Sequence, residues 1–313
     1  MNKKICGFTF TMYPSSLGTF YDEYTKESMR RMKEDTGCNA VTIAFMALQE
    51  TAFSEEIDYT GKHMPTDDEV VSMIKYAREL GMQVYLKPMV NCKDGTWRAR
   101  IDFFDVEEPC ETKWSVWFKN YDEYILHYAK IAEDTGCELL LIGCELVQAE
   151  RKEEYWRELI GEVRKVYSGL ITYNTDKYQE DHVKWWDALD VISSSGYYPI
   201  DAWDYNLERI EKVVEKYNKP FYFAECGAPC RTGCSYIPND WTYEGPLNQA
   251  EQEEYYRVMF EKCDRYAFVE GFMCWAWNSN LSKNPELDDG YDVYGKPACQ
   301  VIKEYYEAMG DMA

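Results

Sequence analysis

Eight short runs of β-branched, aliphatic and aromatic residues alternate with longer amphipathic stretches along the whole chain, and this alternation constrains the fold more than any other feature. The runs occupy 4–9, 40–45, 83–88, 139–144, 170–173, 191–195, 221–224 and 269–275. Helical stretches are expected near 25–34, 66–80, 114–133, 153–166, 183–189, 207–217, 249–263 and 298–309. Strands separated by helices pair in parallel, because the crossover returns the chain to the same end of the sheet. Eight such units in 313 residues favour a closed (β/α)8 barrel, an α/β fold, over a doubly wound open sheet. Length alone also admits two domains, but no Pro/Gly/Ser-rich linker divides the sequence, so one domain over 1–313 is expected.

Local signals agree with the repeated units. Glu34-Asp35-Thr36-Gly37-Cys38 recurs as Glu133-Asp134-Thr135-Gly136-Cys137, each time between a helical stretch and an apolar run. Glycine there fits the left-handed position that ends a helix before a strand. The longest irregular segments, 91–111 and 227–248, follow the third and seventh strands and so belong on the C-terminal face, where barrel enzymes build their sites.

Composition narrows the partners. A net charge of −22, from 34 Lys+Arg against 56 Asp+Glu, repels nucleic acid and anionic membrane surfaces, so a neutral substrate is expected. The 27 Tyr and 10 Trp supply flat faces suited either to stacking on sugar rings or to filling the core. Twelve cysteines lack the dense regular spacing of a small secreted scaffold and read mostly as buried reduced thiols. The spacing of Cys226, Cys230 and Cys234 matches no familiar zinc pattern, so neither metal nor cofactor is expected. The first residues read as a strand rather than a leader, and no stretch approaches the roughly 18 apolar residues of a membrane span. A soluble, cytoplasmic monomer is the expectation.

Acidic residues at the ends of apolar strands are the natural candidates for chemistry in such a barrel. Glu145 closes Leu139-Leu140-Leu141-Ile142-Gly143-Cys144, and Glu225 closes Phe221-Tyr222-Phe223-Ala224. On the fourth and seventh strands both would project into the mouth. Two carboxyl groups flanking an anomeric carbon are what glycosidic bond cleavage requires, roughly 5–5.5 Å apart for retention and 6.5–9.5 Å for inversion. Either residue alone could equally be an ordinary charge at a strand-to-helix turn.

Several longer motifs extend the pattern. Lys87-Pro88-Met89-Val90-Asn91 precedes Asp94-Gly95-Thr96-Trp97-Arg98, and Gly143-Cys144-Glu145-Leu146 precedes Tyr155-Trp156-Arg157. Trp185-Trp186-Asp187 leads to Tyr197-Tyr198-Pro199; then come Phe223-Ala224-Glu225-Cys226-Gly227, Trp275-Ala276-Trp277 and Gly295-Lys296-Pro297-Ala298. In this order, over nearly the whole length, the chain resembles glycoside hydrolase family 113, the β-mannanases of the clan A barrels. The resemblance implies a retaining hydrolase of β-1,4-mannosidic bonds acting on oligosaccharides, with Glu145 as acid/base and Glu225 as nucleophile. It also implies that Tyr197, with Tyr198 as its rival, bonds Glu225, and that Lys87, Asn91, Arg98 and Asn174 meet sugar hydroxyls. Trp97, Trp275 and Trp277 become stacking faces, although Lys87 could instead be paired within the barrel and one late tryptophan could be core. The clan further suggests a cis Trp275–Ala276 bond.

Two positions depart from the family's pattern. Cys144 stands where clan A members usually carry asparagine, and a thiol is a poor donor to a sugar hydroxyl. Met12-Tyr13 stands where tryptophan is usual. The residues themselves leave open a related barrel acting on β-linked glucan, xylan or galactan, because one or two hydrogen bonds select the 2-hydroxyl. A barrel that binds carbohydrate without cleaving it is the rival of another class.

Overall fold

The computed structural model describes residues 4–11, 23–281 and 283–311. Met12 and Tyr13 lie outside them. Eight parallel strands close into a barrel in sequence order: β1 (Ile5–Thr11), β2 (Ala40–Gln49), β3 (Gln83–Cys92), β4 (Leu139–Cys144), β5 (Leu170–Thr175), β6 (Ile192–Gly196), β7 (Phe221–Cys226) and β8 (Val269–Asn278). The helices between and after them are α1 (Glu23–Thr36), α2 (Asp67–Glu79), α3 (Trp114–Thr135), α4 (Glu153–Val166), α5 (Trp203–Tyr217), α6 (Gln249–Cys263) and α7 (Pro297–Asp311). The expected (β/α)8 barrel is therefore the fold.

The helices form where local chemistry directs them. Thr66 caps α2 by accepting from the Glu69 N–H while the Glu69 side chain accepts from the Thr66 N–H, satisfying donors the first turn leaves unpaired. In α3, Trp114, Trp117, Phe118, Tyr121, Tyr124, Ile125 and Tyr128 recur at three- and four-residue intervals and are all buried against the strands. The helix ends at Gly136, whose φ of 66° and ψ of 40° are the left-handed values expected from the repeated segment; Gly37 has the same sign of φ, at 68°.

One expected helix is absent. Within 183–189 the chain makes only a single 3₁₀ turn, Trp186–Ala188. Trp185 and Trp186 are fully buried, and their indole N–H groups donate to the carbonyls of Glu150 and Glu180 at 3.1 and 2.8 Å. Trp185 also stacks on Trp156 of α4 at 4.8 Å. Anchoring two adjacent rings inward leaves no single helical face to bury, so the segment plugs the layer between barrel and helices instead.

Strand alternation separates two apolar layers. Val84, Leu86 and Val90 of β3 face the helices, whereas Tyr85, Leu139, Leu141, Tyr222, Ala224 and Met273 fill the barrel floor, with Tyr85 and Tyr222 meeting edge to face at 5.9 Å. Above this floor the inward positions become polar, and there the site begins.

Candidate active site

Glu145 follows directly on β4 and has a φ of 51°, a left-handed conformation unusual for a residue with a side chain. Neighbouring bonds hold that turn in place. Its own N–H donates to the Asn174 carbonyl at 2.8 Å, and the Leu146 N–H donates to the Tyr173 hydroxyl at 2.9 Å. Tyr173 in turn donates to the buried Glu150 carboxyl at 2.9 Å, as Thr175 does at 2.7 Å. Burial pushes the Glu150 carboxyl up to about 8 against those two bonds.

The Glu145 side chain points into the mouth. One oxygen accepts from Ser195 at 2.7 Å; the other accepts from Arg98 at 3.1 Å and from the Trp97 indole at 3.3 Å. Arg98 also donates to Asn91 at 2.6 Å, so Asn91 orients the guanidinium.

Glu225 reaches the same cavity by an irregularity in β7. Tyr222 and Ala224 already face inward, so simple alternation would send Glu225 outward among the helices. Pairing with β6 shifts between Ser194 and Ser195, from Phe223 opposite Ser194 to Glu225 opposite Ser195, and the extra residue turns Glu225 inward. Its carboxylate accepts from the Lys87 ammonium and from Cys144 at 3.5 Å on one oxygen, and from the Tyr197 hydroxyl at 2.9 Å on the other. Tyr198 is not the partner: it faces outward and donates to Glu180.

A continuous chain of contacts joins the two glutamates. Lys87 donates to Asn174 at 2.6 Å, Asn174 donates to Ser195 at 3.0 Å, and Ser195 donates to Glu145. Glu145 and Glu225 are 5% and 3% exposed, which makes compensation of their charge decisive. Burial opposes ionisation of Glu225, but the nearby Lys87 and Arg98 cations and the bonds from Lys87 and Tyr197 together hold its carboxyl below the usual carboxylate range. Burial likewise opposes charge on Lys87, and the surrounding acidic groups outweigh it. Cys144 stays a neutral thiol, pushed up to about 12 by burial.

The other candidates divide. Lys87 and Asn174, expected on sugar hydroxyls, are fully buried and spend their polar atoms on Glu225, Ser195 and each other. Trp97 is 43% exposed and Trp275 is partly exposed at the mouth. Trp277 is corrected from stacking face to core: it is fully buried against Phe8, and its indole donates to the Ser28 carbonyl and hydroxyl, each at 3.1 Å. The reason is again an extra residue. Phe8 of β1 pairs with Cys274 of β8, and Phe10 with Trp277, so three steps on β8 match two on β1 and Trp277 changes face relative to Trp275. The Trp275–Ala276 bond is cis.

Cys226 lies 4.0 Å from Cys274 rather than beside Cys230 and Cys234, and among the described residues no three potential ligands group to hold a metal ion. Ser195, the partner of Glu145, was not singled out from sequence. The signal was available: Ser193-Ser194-Ser195 is a polar run in a strand that a closed barrel buries on both sides.

Comparison with known proteins agrees with this fold. The model of Glycoside Hydrolase Family 113 matches residues 8–296. A solved structure described as a complex of a GH113 β-1,4-mannanase is 55% identical with a TM-score of 0.95, covering 98% of this chain and 99% of that one. The GH113 β-mannanase from Alicyclobacillus acidocaldarius in complex with ManMIm is 39% identical with a TM-score of 0.93, covering 98% of each chain. The β-glucuronidase of Ruminococcus gnavus, 15% identical with a TM-score of 0.67 over 97% of this chain and 50% of that one, shares the fold alone. No curated protein matches. The motifs read from the sequence, the closed barrel and these comparisons converge: the chain belongs to glycoside hydrolase family 113.

Proposed function

We propose that this glycoside hydrolase cleaves β-1,4-mannosidic bonds in mannan-derived oligosaccharides with retention of configuration, using Glu225 as nucleophile and Glu145 as acid/base. The observation that carries the assignment is that two buried carboxyls share one mouth, joined by a chain of hydrogen bonds, and that one of them is held ionised. Glu225 is held ionised by Lys87 and Tyr197, as a nucleophile must be, while Glu145 stands across the Ser195–Asn174–Lys87 chain, beside the partly exposed Trp97.

In the first step a Glu225 oxygen attacks the anomeric carbon, the glycosidic C–O bond breaks, and Glu145 gives its proton to the leaving oxygen. A glycosyl ester results. In the second step Glu145, now a carboxylate, takes a proton from water as that water attacks the anomeric carbon. The ester bond breaks, Glu225 recovers its charge and Glu145 its proton.

Mannose as the sugar is supported by relatives described as β-1,4-mannanases at 55% and 39% identity. A reducing, intracellular setting is supported by twelve free thiols, eleven of them buried, and in such a setting the substrates would be short imported oligosaccharides. Incubation with mannotriose to mannohexaose beside the matching cello-oligosaccharides tests the sugar, with proton NMR following the first-formed anomer. Release from the mannose series as the β-anomer is expected; faster release from the glucose series, or an α-anomer first product, overturns the proposal.

A further inference from the structure

β5 brings a third carboxyl to the mouth that the two-step scheme leaves unused. Side chains alternate along this strand. Asn174 faces inward, where it bonds Lys87 and Ser195, and Thr175 faces outward, where it bonds Glu150. Asp176, the first residue beyond the strand, continues this alternation toward the inner side, and it lies near enough to Glu145, whose N–H is bonded to the Asn174 carbonyl, for the two charges to interact.

Asp176 is only 7% exposed, yet among the described residues no side chain donates a hydrogen bond to its carboxyl. The Lys177 backbone N–H lies against it, and the Lys177 ammonium stands 3.8 Å from Oδ1, beyond hydrogen-bond reach. Every other buried acid of the site is better supplied. Glu225 has Lys87 and Tyr197, Glu145 has Ser195, Arg98 and Trp97, and Glu180 has Ser194, Tyr198 and Arg209. Lacking such donors, Asp176 is pushed up to about 7 by burial and by the neighbouring Glu145, with Lys177 opposing. A buried carboxyl served only by a backbone N–H keeps acceptor capacity that hydroxyl groups can fill.

We propose that Asp176 binds the sugar on the leaving-group side of the scissile bond, accepting hydrogen bonds from that sugar's hydroxyls beside Glu145. The side follows from the assignment of Glu145 as the acid, on which this inference rests: the oxygen it protonates belongs to the departing sugar, so groups flanking Glu145 away from Glu225 meet that sugar. Asp176 is such a group, because Asn174 and Ser195 occupy the span between the two glutamates.

The test compares two substrates that differ on the leaving-group side: mannohexaose, and a 2,4-dinitrophenyl β-mannobioside whose leaving group carries no sugar and needs no proton. Asp176→Asn and Asp176→Ala are assayed on both, with thermal melts to confirm folding of the near-isosteric Asn variant. Loss of a charge-assisted bond predicts a fall of about 10- to 100-fold in kcat/KM on mannohexaose, with the aryl substrate changed less than about twofold. Equal losses on both substrates, or none on either, overturn the proposal. Failure of the underlying reading looks different, since the wild-type protein itself then cleaves neither substrate; should it cleave another β-linked series, the same comparison is made with that series.

Discussion

Replacing Lys87 with methionine removes the one cation among the described residues in direct contact with Glu225 while nearly preserving the volume of a fully buried side chain. The carboxylate left behind keeps its burial but loses its main counter-charge, and breaking a buried pair from one side costs about 3–5 kcal/mol. At about 2 °C per kcal/mol for a chain of this size, the melting temperature near neutral pH should fall by roughly 6–10 °C. The loss has a defined pH window. Glu225 is depressed in the folded protein, so its contribution is present above the unfolded value of about 4.3 and disappears as pH falls through the folded value. Lys87 is raised, so its contribution is present below about 10.4 and disappears as pH rises through the folded value. The deficit of the variant should thus be greatest from about pH 5 to 10 and shrink in acid. Catalysis should respond through the same group: Glu225 protonates more readily, and the acidic limb of kcat/KM against pH moves upward, about tenfold in activity at a fixed acidic pH for each unit of displacement. Differential scanning fluorimetry across pH and a pH–rate profile on mannohexaose measure both effects. An unchanged acidic limb with a melting temperature within about a degree of wild type would refute the view that Lys87 sustains the Glu225 charge.

The same network gives further expectations. Tyr197→Phe removes one charge-assisted bond to Glu225 and should lower kcat by roughly 10- to 100-fold with little change in fold; Tyr198→Phe should not reproduce this, because its hydroxyl serves Glu180. Trp277→Ala should destabilise by about 3–5 kcal/mol, seen as a drop in denaturation midpoint, whereas Trp275→Ala should spare stability and raise KM for oligosaccharides. Titration of the native protein with a thiol reagent should modify about one cysteine, Cys110, and the denatured protein about twelve, since the other eleven are buried.

What could be read from the sequence follows strict physical periodicities. Eight apolar runs placed the strands, and the two glutamates were found because acids directly after apolar strands face a barrel mouth. Local irregularity is where that reading stopped. Alternation puts Trp275 and Trp277 on one face and by itself would turn Glu225 outward; the extra residues in β8 and β7 move Trp277 into the core and bring Glu225 to the mouth where it was expected, and no composition or spacing signals them. The 183–189 segment misled because its two tryptophans satisfy a helical apolar pattern while actually being anchored by buried indole bonds. Lys87 and Asn174 have the chemistry of sugar-binding residues; closure of the barrel sets Asn174 against Ser195 and Lys87 against Glu225, the pairing within the barrel that the sequence had left open for Lys87. Ser195 and Asp176 were legible in principle, as polar residues in positions a closed barrel must bury.

The central claim is that Glu225 attacks the sugar carbon. Reaction with 2-deoxy-2-fluoro-β-mannosyl fluoride, which forms the glycosyl ester faster than water removes it, followed by mass spectrometry of the digested protein, tests this directly. The account predicts a single added fluorosugar on the peptide spanning Phe221 to Cys226, localised to Glu225 and abolished in Glu225→Gln. Label on any other carboxylate, or none on an enzyme that still turns over oligosaccharides, contradicts it.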